Sequence, residues 1–85
     1  MKKYKRIVDN NSRWQGDTDT KKRIIRINKH KSKKKSSIID TIVHEEMHAK
    51  HPAMSERTIR KKVPLMLKRL SRKAKNRLYA RYKNR

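Results

Sequence analysis

Apolar residues are sparse in this chain and gather in short runs, and the spacing within each run predicts a different element. Tyr4-Lys5-Arg6-Ile7-Val8 reads as a short strand, about residues 4–8. Asp9-Asn10-Asn11-Ser12 is a turn-forming cluster, and Trp14 to Asp19, around the chain's only glycine at Gly16, reads as a loop. A second and better strand follows over about residues 22–28. There Ile25 and Ile27 share one face of a period-two pattern and Arg26 takes the other. Two such strands are marginal by themselves and must pack on a helix.

After the basic connection Lys29 to Lys35 the period lengthens to that of a helix. Ser36 or Ser37 can cap it, with Asp40 near its positive end. Ile38, Ile39, Ile42, Val43 and Met47 recur at helical spacing over about residues 38–50. His51-Pro52 ends the run, because a residue before proline avoids the α region. Ser55 is a second N-cap, with Glu56 in the first turn of a short helix running toward Val63. Pro64 either ends that helix or opens the next. Leu67, Leu70, Ala74 and Leu78 form the apolar stripe of a basic helix from Leu65 to about Tyr82, so the C-terminal helices together span about 56–83.

The fold class expected is therefore α+β: a small two- or three-stranded sheet on a central helix, then a short helix and a basic C-terminal helix. The length of 85 residues allows a single domain, 1–85. Only 32% of the chain is hydrophobic, and a core this small often needs a metal, a disulfide or a partner as a staple. Cysteine is absent, which excludes disulfides and thiolate zinc sites.

The net charge of +21 opposes compaction, and a polyanion would relieve it by releasing counterions. Nucleic acid is the partner this charge favours. No apolar run approaches the ~20 residues a bilayer span needs, so no membrane role is expected. No signal peptide is read, and the lack of cysteine suits a reducing cytoplasm.

The chemistry concentrates between His44 and Glu56. His44-Glu45-Glu46-Met47-His48 is an instance of H-E-x-x-H on the predicted helix. Residues four apart project from one helix face, so His44 and His48 can share one zinc ion. Glu45 is angularly offset and can take a proton from a zinc-activated water without binding the metal. A catalytic site of this kind needs a third protein ligand. Glu56, just past the Pro52 break, is the preferred candidate; His51, at the helix end, and His30, after the second strand, are the alternatives. Asp40, one turn before His44, can orient a histidine or simply complement the helix dipole. Glu46 reads as structural or solvent-facing.

With the second strand, the basic loop and Ile38 to His48 in this order, residues 22–60 resemble the zincin metallopeptidase core. The continuation Ala49 to Glu56 is similar to small single-domain zincin-like proteins, the minimal gluzincins and the SprT-like group. The resemblance implies that His44 and His48 bind zinc, that Glu45 is the general base and that Glu56 is the third ligand if the chain is gluzincin-like. It implies peptide hydrolysis on a peptide or protein substrate, with the strand around Ile25 to Asn28 serving as the edge that aligns the substrate. Tyr79 or Tyr82, folding back, would be the tyrosines available to stabilise an oxyanion. The competing expectation is a non-enzymatic basic protein, associated with nucleic acid or the ribosome, in which zinc is a structural staple.

Overall fold

The computed structural model describes residues 4–11, 13–31 and 34–82. Met1-Lys2-Lys3 of the basic N-terminus, Ser12 of the turn cluster, Ser32 and Lys33 of the basic connection, and residues 83–85 lie outside the described residues. The order of elements is β1 (Lys5–Val8), β2 (Gly16–Asp19), β3 (Ile24–Ile27), α1 (Lys35–Lys50), α2 (Glu56–Arg69) and α3 (Arg72–Arg81). The fold is α+β, a three-stranded mixed sheet followed by three helices, with the sheet packed on α1.

The strand with the clearest alternation, β3, lies at the centre of the sheet. It pairs in parallel with β1 and antiparallel with β2, in the order β1-β3-β2. Ile25 and Ile27 are fully buried on its inner face, and Arg26 on the other face pairs with Asp17 of β2 at 2.9 Å. This corrects two expectations. The segment Trp14–Asp19, read as loop, contains strand β2 from Gly16, and β3, read as the edge, has both edges occupied. Gly, Asp and Thr in β2 carry little strand propensity of their own; pairing to β3 supplies the order. The hairpin between them turns at Thr20 to Arg23. Asp19 accepts from the backbone N–H groups of Lys21 (3.0 Å) and Lys22 (2.9 Å), and Arg23 adopts the left-handed region at φ 57°.

Helix α1 runs through the middle of the molecule and is apolar on two sides. Ile38 and Ile42 join Ile25, Ile27 and Tyr82 against the sheet, while Ile39, Val43 and Met47 join Ile59 and Val63 of α2. The row Ser37, Thr41, His44 and His48, spaced four, three and four apart, is left for a third face. The helix begins at Lys35, a turn earlier than expected. Neither Ser36 nor Ser37 caps it: the N-cap position is Lys34, without a side-chain bond.

The C-terminal helices divide differently from the expectation. Helix α2 runs through Pro64 to Arg69, and the break falls at Leu70-Ser71. The Ser71 hydroxyl accepts from the Ala74 N–H at 3.1 Å and restarts the chain as α3. That bend returns Leu78, Tyr79 and Tyr82 to the core beside α1.

Candidate metal centre

The third face of α1 presents His44 and His48 on successive turns. Beyond His51, where the helix ends with its N–H still bonded to Met47 O at 2.8 Å, the chain reverses through Pro52 to Ser55. Ser55 then caps α2 by accepting from the Thr58 N–H at 3.2 Å. This reversal brings Glu56, the first residue of α2, back over the two imidazoles. The Glu56 Oε1 is in direct contact with His44 Nε2, and Oε2 lies 2.9 Å from His48 Nε2. The two Nε2 atoms are 3.2 Å apart. Ligands held ~2.1 Å from a tetrahedral zinc ion are separated by about 3.4 Å, and these donor atoms all lie within 4.8 Å of one another.

His44, His48 and Glu56 thus form a group that could hold a metal ion. His30 and His51 are outside it, and both are exposed. Among the described residues no fourth His, Asp or Glu joins the three. Two neutral imidazoles and a carboxylate are borderline donors of the kind zinc takes. The adjacent imidazoles hold the Glu56 carboxyl below its ordinary range against the opposing effect of partial burial.

Glu45 stands beside this group without entering it. Its Oε1 accepts from the Thr18 hydroxyl at 2.8 Å, and the same hydroxyl lies 3.1 Å from its carbonyl oxygen. Burial pushes the Glu45 carboxyl upward, opposed by the Thr18 hydrogen bond and the nearby histidines. Contact between β2 and α1 depends on Gly16: a Cβ there would stand 2.7 Å from Thr41 Cγ2 and 2.9 Å from Glu45 Cγ. Sequence reasoning marked Gly16 only as a loop signal and had no signal for Thr18, whose role depends on a pairing partner elsewhere in the chain.

His44, Glu45 and Glu56 open onto a cleft of about 910 Å³ lined also by Trp14, Gln15, Gly16, Thr41 and Arg60. Asp40 lines it too but is exposed, and among the described residues it bonds to neither histidine. Arg60, one helical turn after Glu56, places Nε 3.5 Å from Glu56 Oε1; its spacing from Glu56 was visible in the sequence, but its place in the cleft was not.

Glu46 faces away from the cleft. It accepts two hydrogen bonds from the Arg6 guanidinium, one of them at 2.8 Å from Nη2, and a third at 2.6 Å from the Tyr82 hydroxyl. Burial disfavours its charge, but these donors outweigh that and lower its carboxyl overall. Tyr82 is fully buried, and burial together with the Glu46 bond raises its hydroxyl. Tyr79 lies under the ammonium groups of Lys29 at 3.9 Å and Lys35 at 4.8 Å. Neither tyrosine lines the cleft, which corrects the expectation of a tyrosine folding back to serve an oxyanion.

No helix among the described residues is long and apolar enough to cross a membrane. Comparison with protein-family models, with curated proteins and with solved structures found no match to this chain.

Proposed function

We propose that this protein is a minimal zinc metallopeptidase of zincin type. The observation that carries the reading is the convergence of His44, His48 and Glu56 at an open cleft that His44 and Glu56 line, with the Glu45 carboxylate beside them and outside the donor set. A closed structural zinc site uses four protein ligands, whereas a hydrolytic one keeps a position for water. Three donors, two of which line a cleft, support the second arrangement over the non-enzymatic one.

Bound zinc would supply Lewis acidity and a water of lowered pKa. The chain's own residues perform the rest. Glu45, held by Thr18, takes the proton of the attacking water and passes it to the leaving amine. Burial favours its protonated form, which suits a group that must both accept and return a proton. Among the described residues strand β2 has its outer edge unpaired in the sheet and reaches the cleft at Gly16, so it replaces β3 as the strand on which an extended peptide would align. The test is cleavage of an unstructured polypeptide by the purified, zinc-loaded protein beside its Glu45→Gln variant. The reading expects cleavage by the first alone; equal activity in both would end it.

A second reading, compatible with the first, is association with nucleic acid. From Arg57 to Arg81 there is no acidic residue, and among the described residues Arg60 is the one cation of this stretch in an ion pair. The apolar positions Ile59, Val63, Leu67 and Leu78 are turned at least partly inward, leaving a cationic outer surface. Such a surface supports binding to phosphates without base readout.

A further inference from the structure

Hydrolysis of an amide places negative charge on the carbonyl oxygen, and a donor aimed at that oxygen is commonly the largest contribution to rate. The tyrosines are placed elsewhere: the Tyr82 hydroxyl is bonded to Glu46, and Tyr79 lies beneath two lysines. The cations lining the cleft are Lys31 and Arg60. Of these, Arg60 alone is within ion-pair distance of a metal-binding residue. Its side chain is 75% exposed, so a substrate in the cleft can reach it. A guanidinium carries five N–H donors in one plane, enough to face both Glu56 and a second oxygen.

We propose that Arg60 is a catalytic residue that donates hydrogen bonds to the oxyanion; this rests on the peptidase reading above. The water oxygen bonds to the carbonyl carbon while the carbonyl π pair moves onto oxygen and Glu45 receives the water proton. The oxyanion pair then re-forms the C=O bond as the C–N bond breaks, and the amine takes the proton from Glu45. Arg60 remains protonated throughout. The pair Glu56–Arg60, one turn apart on α2, therefore serves both the metal and the developing charge.

The test uses zinc-loaded protein in the Glu45→Gln background, which keeps peptides intact. An alanine-based peptide phosphinate, whose tetrahedral phosphorus bears an anionic oxygen, is compared by calorimetry with the parent peptide of the same side chains. Arg60→Ala is expected to weaken the phosphinate about 100-fold while changing the peptide less than about 3-fold. Arg60→Lys should recover part of the loss, and zinc content should be unchanged in both variants. In the Glu45-intact protein, Arg60→Ala should lower kcat more than it raises KM, and added guanidinium ion should restore some of the rate. Equal weakening of phosphinate and peptide would overturn the proposal in favour of a ground-state carboxylate contact, and no weakening would overturn it outright. An intact protein that cleaves nothing yet shows the Arg60-dependent phosphinate preference sinks the peptidase reading while sustaining the anion contact. Cleavage with no such preference sinks the Arg60 proposal alone.

Discussion

Glu45 and Glu46 are consecutive in sequence and face different neighbours around α1. Glu45 accepts a hydrogen bond from Thr18 on β2, beside the metal-binding group, and Glu46 accepts from Arg6 on β1 and Tyr82 after α3. Successive helical residues are turned by about 100°, which is enough to send one carboxylate to the cleft and the next to Arg6 and Tyr82. One helix is thereby tied to both edge strands and to the C-terminal segment.

Zinc retention should follow the geometry of the three donors. Wild type is expected to bind one zinc ion per chain, His48→Ala to lose it, and Glu56→Ala to bind more than about 100-fold more weakly, since even outer partners of a metal site contribute 10- to 100-fold. His30→Ala and His51→Ala should bind as wild type does. Metal content after dialysis against a weak chelator reads all four; full retention in Glu56→Ala would remove Glu56 from the site.

Under the proposed mechanism, replacing Glu45 should separate chemistry from metal binding. Glu45→Gln is expected to keep its zinc and lose about 10²- to 10⁴-fold in kcat, the usual contribution of a positioned acid–base group. Parallel zinc analysis and rate measurement make the comparison.

Gly16→Ala should be costly for a glycine without an unusual φ. Its methyl would meet Thr41 Cγ2 and Glu45 Cγ, and overpacking of this kind destabilises by about 1–3 kcal/mol. Thr41→Ser removes the methyl group at 2.7 Å, so the double variant should recover part of the loss. Urea unfolding of the two singles and the double tests the coupling; strict additivity would show that the contact does not limit the approach of β2.

Truncating Glu46 to alanine should destabilise the fold by about 2–3 kcal/mol, because the Arg6 guanidinium and the buried Tyr82 hydroxyl lose their common acceptor. Tyr82→Phe should cost less, since Arg6 keeps its partner. Urea midpoints give the order, and a Glu46 variant as stable as wild type would deny the network a structural role.

The β2–β3 turn has a pH signature. Backbone donation from Lys22, with Lys21, holds the Asp19 carboxyl below its ordinary value. A depressed carboxyl stabilises the fold above its unfolded pKa and loses that contribution as pH falls through the folded value. The stability advantage of wild type over Asp19→Asn should therefore be present at pH 6 and shrink below about pH 4. At the neighbouring left-handed position, Arg23→Gly should gain up to about 1 kcal/mol.

The sequence alone determined the features that local periodicity encodes. Ile25 and Ile27 alternate with Arg26, and that pattern marks a strand buried on one face wherever it pairs. Ile38 to Met47 repeat at helical spacing, and the same spacing puts His44 and His48 on one side of the helix before any fold is known. Ser55 announced the start of α2, and with it the position of Glu56 just past a chain reversal.

Tertiary structure decided whatever depends on a partner distant along the chain. Strand β2 exists through its pairing with β3, so Gly16 to Asp19 look like a loop in isolation, and the edge of the sheet passes from β3 to β2. That Glu56, and not His51 or His30, comes to lie beside His44 and His48 rests on how α2 folds back over α1. Thr18, Arg60 and the opposed duties of Glu45 and Glu46 are likewise relations between elements. A residue's spacing along one helix is a property of that helix, but the direction from which a second element approaches it is set by how the whole core packs.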